Sequence, residues 1–427
     1  MTYDTVVVGA GLAGLTTALR LAEEGQRVAV LARGVGATHL APATIDVLGY
    51  SAEERIATPA ASLPGLVAAH PEHPYARVST EALAASLDWL AGVAPELGYR
   101  GGLEENLLLP TALGVPKPSA LVPETMAGGD LREGGSFLFV GFRGHKDFYP
   151  AYLAENLAHA RLRAPVAARA LELRPPPGPD ADPGGLGFAR RFEEPGFRDW
   201  LVGELLDQVG PGERVGFPAV LGLHRAGEVW RELEERLGRR VFEVPTLPPS
   251  VPGMRLYEAL TQALRRAGAR LVIGFAVVGA QAAGKRIEAV VAEAAARPVS
   301  YAAGSFVLAS GGFASGGLEV DSHGSVRETV FGLPVAGVPE PRQLGFSPGY
   351  LDSQPLAAAG LAVDELLRPV GAEGSVVYEN LHAAGAILGG AVPWREKSGT
   401  GLSLATGYAA AAAILARTGA PIAERTL

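Results

Sequence analysis

From Asp4 to Val8 the chain is a short, β-rich run that reads as a strand. A turn, Gly9-Ala10-Gly11-Leu12-Ala13-Gly14, leads into a segment of helical period. There Leu12, Leu15, Leu19 and Leu21, with Ala18 and Ala22, form an apolar face through Glu24, and Gly25 supplies the stop. Arg27–Leu31 reads as a second buried strand. Two strands about a crossover helix make a parallel, right-handed βαβ unit.

Residues 76–244 change character, with many Pro and Gly and several amphipathic helices. Within them Pro175 to Gly185 reads as an exposed connector, stiff at its prolines and loose at its glycines. After Pro252 the pattern predicts a helix over Leu256–Ala267 and strands over Leu271–Val278, Arg286–Val291 and Ser305–Ala309. A last helix is predicted from about Gly401 to Ala416. No repeat of 20–50 residues is visible, which sets aside solenoids and propellers. Strand–helix alternation at both ends predicts an α/β fold in which 1–75 and 245–427 form one discontinuous domain and 76–244 is inserted.

Composition narrows the chemistry. At 427 residues, 48% hydrophobic and 19% charged, the chain is long and apolar enough for two or three folded domains, and disorder of the whole is excluded. It has no cysteine, so disulfides, thiolate nucleophiles and Cys-held iron–sulfur clusters or zinc are excluded from it. Redox chemistry would need a bound organic cofactor or another polypeptide. The net charge of −8 opposes nucleic acid and anionic membrane surfaces. The histidines at 39, 70, 73, 145, 159, 224, 323 and 382 show no ligand spacing, so no metal site is expected. No run approaches the ~18 apolar residues of a membrane span, and the N-terminus enters a strand without a signal-like segment. A cytoplasmic protein is expected.

Three glycine constellations carry the chemistry. In the first, Gly9 permits the tight turn, Gly11 lets the backbone approach a pyrophosphate, and Gly14 lets helix and strand pack closely. The helix N-terminus then points N–H groups at the phosphates. The acid that usually ends the second strand and holds a ribose is missing: that position is Ala32, followed by Arg33, a candidate for a phosphate contact. The second constellation is Ser310-Gly311-Gly312 after a buried strand, where backbone can approach a flat cofactor. The third is Asn380–Gly390 with Gly385, then Ser398-Gly399-Thr400-Gly401-Leu402, a glycine-rich helix start suited to the N1/C2=O edge of a flavin.

GAGLAG, LASGGF and NLHAAGAILGG with SGTGLSLATGYAA resemble the flavin motifs of the fumarate reductase/succinate dehydrogenase-like flavoproteins. More closely, RGVGATHLAPATID (Arg33–Asp46), GVPKPSALVP (Gly114–Pro123), GFRGHKDFYP (Gly141–Pro150), FPAVLGL (Phe217–Leu223), PTLPPSVPGMRL (Pro245–Leu256) and DSQPLAAAGLAVDELLRP (Asp352–Pro369) resemble the family of B subunits of anaerobic glycerol-3-phosphate dehydrogenase. The likeness covers nearly the whole chain.

The resemblance implies a Rossmann-like FAD/NAD(P)-binding flavoprotein domain of the glutathione-reductase type with an inserted α+β cap. It implies FMN, with FAD the alternative. The implied reaction oxidises sn-glycerol 3-phosphate to dihydroxyacetone phosphate. It is carried out together with an FAD-bearing A subunit and a cysteine-rich iron–sulfur C subunit that passes electrons to menaquinone. The chain would meet the inner face of the membrane through that complex. By position, Thr38, His39, Thr44 and Asp46 should run beneath the isoalloxazine, with His39 the acid–base candidate for the substrate hydroxyl. Arg143, Lys146, Arg225 and Arg368 are candidates for the substrate phosphate; His382 is read as a spacer. Two further readings stay open: an electron-transfer component without a substrate of its own, and a stand-alone flavin oxidoreductase.

Overall fold

The computed structural model describes residues 2–52, 54–178, 184–294, 297–339, 347–349 and 352–418. Two compact units are present: Met1–Ala37 with Ala60–Trp89 and Leu260–Leu427, and Thr38–Pro59 with Leu90–Ala259. These bounds differ from the boundaries read at 75/76 and 244/245. Residues 38–59 lie with the second unit, and 76–89 with the first. Trp89 shows why: its indole N–H donates to Glu23 at 2.9 Å, and its ring lies 6.0 Å from that of Tyr408.

The first unit begins as the pattern predicts, with β1 (Thr2–Val8), α1 (Leu12–Glu23) and β2 (Val28–Ala32). Its later elements are β3 (Arg270–Ile273), β4 (Val277–Ala283), β5 (Arg286–Ala292), β6 (Val299–Leu308), β7 (Leu381–Ala383) and α2 (Gly399–Thr418). The sheet runs β3-β2-β1-β6, with β2 and β6 parallel to β1 on either side. β6 then carries antiparallel β5 on its first half, at Ala289 opposite Ala302, and parallel β7 on its second, at Phe306 opposite Leu381. The single strand predicted over Leu271–Val278 is therefore two. Gly274 turns the chain at φ +92°, its N–H donating to Ala32 O at 2.9 Å. Val6, Val8, Leu31, Phe306, Leu308 and Leu381 fill the core.

α2 is longer than the sequence pattern gave it and passes the length and composition test for a membrane span, contrary to the expectation that no segment would. More than half of that apolar stretch is buried. It packs on α1 so closely that a Cβ on Gly407 would stand 2.5 Å from Ala13 O, and Thr17 Oγ1 donates to Gly407 O at 2.8 Å. Its apolar length serves the core of the unit.

The second unit is built on Gly135–Phe142, Val166–Leu173, Arg214–Pro218 and Val241–Val244. These strands lie in the order Val166–Leu173, Gly135–Phe142, Arg214–Pro218, Val241–Val244 and run parallel, and the unit also carries antiparallel pairs such as Leu107–Pro110 with Pro116–Ser119. The central runs are apolar on both faces, as parallel strands covered by helices require. Phe137, Phe139 and Phe242 meet edge-on or stacked at 5.9–6.1 Å. One buried ion pair sits among these aromatics' neighbours. Arg255 reaches Glu243 at 2.7 and 2.8 Å and Gly222 O at 2.8 Å, while Glu243 also accepts from Thr125 and Leu221 N–H. Of the connector read over Pro175–Gly185, 179–183 lie outside the described residues.

Candidate functional site

The carboxyl ends of β1 and β6 lie side by side, and the first two glycine constellations meet there. Gly9 turns at φ +113°, and a Cβ on it would stand 2.1 Å from Ala309 O. A Cβ on Gly14 would stand 2.1 Å from Gly9 O. Both glycines are demanded by backbone contact within the protein. Gly11 is different. It caps α1 with φ −79°, an ordinary conformation for any residue, and a Cβ there would meet nothing within 4 Å. No side chain caps α1 and no acid lies in its first turn, so its positive end is not neutralised from within.

Around this turn the other glycines close in. Gly36 (φ +72°) lies against the Gly11 backbone, Gly385 (φ +80°) against Ala13, and Gly312 against Ala386 O. The Ser310 hydroxyl is buried here without a hydrogen-bond partner. An anionic phosphate group fits this opening: a Cβ at Gly11 would stand in it, and an orphaned donor lies in the adjoining loop. Arg33 is exposed after β2 and reaches toward Gly316.

The third constellation belongs to the same unit. α2 begins at Gly399, so Thr400, Gly401 and Leu402 form its first turn. Gly385 N–H donates to Thr406 Oγ1 at 2.9 Å, tying the Ala383–Gly390 loop to α2. Just before α2, the Glu396 carboxylate accepts Val392 N–H at 2.7 Å, Ser398 O–H at 2.7 Å and His73 Nε2 at 3.3 Å. His73 and Ser398 are wholly buried. Burial pushes the Glu396 carboxyl up, but these donors, His73 foremost, outweigh it and hold the group below its ordinary value.

In the second unit Thr38 is buried with its hydroxyl unpartnered, and His39 packs edge-on against Tyr257 at 4.7 Å between ring centres. Partial burial lowers the His39 pKa, so its imidazole is neutral at pH 7. Thr44 and Asp46 are gathered by Lys117, whose ammonium donates to Thr44 Oγ1 at 2.6 Å, Asp46 at 2.7 Å and Ser119 at 3.1 Å. Of the phosphate candidates, Arg225 is paired with Glu228 and, in the first unit, Arg368 with Asp364, each at 2.7 Å. Arg143 and Lys146 lie exposed on the segment before the helix Pro150–Ala158. His382, read as a spacer, donates to Leu366 O at 2.7 Å; burial drives its pKa down to about 4.

Sequence reasoning missed His73, Glu396 and Lys117. Lys117 stands inside a family-like segment and is one of only four lysines, a signal that was available. His73 and Glu396 are 323 residues apart, and nothing local links them.

A model of the FAD binding domain family matches residues 4–402. The chain is 34% identical to the probable B subunit of anaerobic glycerol-3-phosphate dehydrogenase from Halobacterium salinarum, over 96% of this chain and 97% of that protein. It is 34% identical to the B subunit of the same dehydrogenase from Pectobacterium carotovorum, over 97% and 99%. Among solved structures, the 3-ketosteroid Δ1-dehydrogenase of Sterolibacterium denitrificans is similar at 12% identity with a TM-score of 0.46, covering 97% of this chain and 100% of that one.

Proposed function

This chain belongs to the FAD-binding flavoprotein family and, within it, to the B subunits of anaerobic glycerol-3-phosphate dehydrogenase, and we propose that it oxidises sn-glycerol 3-phosphate as one component of a larger complex. It is a flavin-dependent oxidoreductase with an FAD-binding fold of mixed α/β content. The family match supports FAD, and the FMN implied by resemblance gains no support from it. The observation that carries the proposal is the open space at Gly11, in a turn packed against Gly36 and the Ala309–Ser310 backbone, with the Ser310 hydroxyl orphaned in the adjoining loop.

In this reading the first unit is a glutathione-reductase-type flavin domain. The first turn of α1 and Gly11 would hold the pyrophosphate, Ser310, Gly311 and Gly312 would line the cofactor, and Gly399–Leu402 would serve the flavin's N1/C2=O edge. When bound, FAD supplies the acceptor for the hydride of the alcohol carbon. The second unit serves as the inserted cap. His39 takes the hydroxyl proton, its imidazole being neutral at pH 7. Arg143, Lys146, Arg225 and Arg368 remain the candidate phosphate ligands, Arg143 and Lys146 being exposed on one segment. With no cysteine in the chain, clusters that lead electrons to menaquinone belong to a cysteine-rich iron–sulfur partner, the C subunit, beside an FAD-bearing A subunit. That complex would sit at the inner face of the cell membrane, and this chain would touch the membrane only through it.

The test is direct. Denature the purified chain, separate the released cofactor and read its absorbance: stoichiometric FAD is expected, and no flavin refutes the reading. Anaerobic glycerol 3-phosphate should then bleach the flavin of the isolated chain. A second reading, an electron-transfer component without its own substrate, draws on the carboxylate pairing of Arg225 and Arg368, which leaves fewer cations for a phosphate. It predicts that the flavin stays oxidised until the FAD-bearing partner is added.

A further inference from the structure

The turn around His73 is a buttress for the last flavin segments, and its chemistry is unusually well defined. Gly390 turns at φ +92°, and a Cβ there would stand 2.4 Å from Glu72 O, so the chain at Glu72 is pressed against the end of the Gly385–Gly390 loop. One residue on, His73 Nδ1 accepts Tyr75 N–H at 3.1 Å. That bond needs the lone pair of Nδ1, so in neutral His73 the proton is on Nε2, which faces Glu396 at 3.3 Å. Glu396 therefore receives three donors: His73 Nε2–H, Ser398 O–H and Val392 N–H. A carboxylate that only accepts is an ionised carboxylate. A glutamine could not replace it without turning its own N–H groups against one of those donors.

Glu396 also occupies a particular place. Ser398, the residue preceding α2, donates a hydroxyl hydrogen bond to the carboxylate, and Leu402 N–H closes the first helical bond onto Ser398 O at 2.8 Å. The negative charge thus lies directly behind the turn Gly399–Leu402 and is tied to it by a 2.7 Å hydrogen bond. On the flavin reading above, that turn meets the edge where negative charge collects when the flavin is reduced.

We infer that Glu396, held ionised by His73 and Ser398, is a positioning residue that fixes the start of α2 and sets the reduction potential of the bound flavin. A fixed anion behind the N1/C2=O edge opposes reduction, counteracting the pull of the α2 dipole. This inference rests on the placement of FAD in the first unit.

The test uses the full chain loaded with FAD, titrated anaerobically at pH 8 against a reference dye, with flavin affinity measured in parallel. E396Q removes the charge and should favour reduced over oxidised flavin about tenfold, a rise of about 30 mV for a two-electron couple. H73N leaves the charge but withdraws one donor, so the midpoint should fall, by less than the E396Q rise. E396D keeps the charge and should stay near wild type. A role in packing alone would weaken oxidised and reduced flavin equally and leave the midpoint in place. Unchanged midpoints in flavin-loaded E396Q and H73N overturn the inference while leaving the flavin reading intact. Should E396Q fail to hold flavin, H73N decides: a lowered midpoint supports the inference, an unchanged or raised one refutes it. A wild-type chain that takes up no FAD overturns the flavin reading, and this inference with it.

Discussion

Gly11 and Gly14 stand three residues apart in one motif, yet substitution should affect them in opposite ways. At Gly11, φ is −79° and a new Cβ meets nothing within 4 Å, so the cofactor-free fold has no steric objection to Val. Loss of a favourable N-cap residue costs about 1 kcal/mol, partly offset by the lower entropy of the unfolded chain. At Gly14 a Cβ would stand 2.1 Å from Gly9 O, a backbone atom that cannot swing away. Forcing it costs on the order of 1–3 kcal/mol or more, because strand β1 and helix α1 must separate. FAD at a hundredfold excess over its dissociation constant adds about 2.7 kcal/mol to the wild type. For a unit of this size that is about 5–10 °C in Tm. The assay is a thermal melt of stripped protein with and without FAD. Gly11→Val should melt within a few degrees of stripped wild type and show no rise on adding FAD. Gly14→Ala should melt low under both conditions. An undiminished FAD-dependent rise in Gly11→Val would mean that no phosphate approaches the turn, and the site assignment would fail.

Breaking the buried Glu243–Arg255 pair with Glu243→Gln strands the Arg255 charge and should cost about 3–5 kcal/mol by urea unfolding; a variant within 1 kcal/mol of wild type would contradict the burial argument. Lys117→Met withdraws the ammonium from Asp46, Thr44 and Ser119 and should cost about 2 kcal/mol in the same assay, with Lys117→Arg recovering part of the loss. His382 titrates near 4 when folded against 6.5 when unfolded, so the unfolded chain alone gains a proton as pH falls from about 6.5 to about 4. Stability should drop by about 3 kcal/mol across that window and His382→Asn, which keeps a donor for Leu366 O, should flatten that part of the profile.

What could be read ahead of the structure followed the range of the interactions. β1, the Gly9–Gly14 turn, α1 and β2 are contiguous, and each announces itself by period and by glycine. The parallel sheet of the second unit was hidden because its strands are short apolar runs scattered among Pro and Gly, where period cannot separate a buried strand from a helix. The tight turn at Gly9 and the close packing at Gly14 could be assigned from spacing alone. That Gly407 lets α2 lie on Ala13 could not, since the two positions meet only through the fold. The same holds for His73 and Glu396. A histidine without metal spacing carries no local mark of the carboxylate it will face.

The missing acid at Ala32 bears on how an adenosine-bearing cofactor could be held. A ribose carboxylate contributes hydrogen bonds worth roughly 1–3 kcal/mol each when charge-assisted. Without it, an adenosine ribose lacks its usual acceptor at the end of β2. But GxGxxG is a device for a pyrophosphate, and FMN has none. The structure holds every part of that device in place: the strained Gly9, the open Gly11, the close-packed Gly14 and an uncapped α1 terminus without an acid in its first turn. Arg33, directly after Ala32, points a guanidinium toward Gly316, in the loop that follows the Ser310–Gly312 segment. A guanidinium one residue beyond the usual acid's position has the chemistry for phosphate oxygens in place of ribose hydroxyls. An FAD held chiefly through its pyrophosphate is consistent with both the intact turn and the absent acid, and it is the cofactor that the family match over residues 4–402 supports.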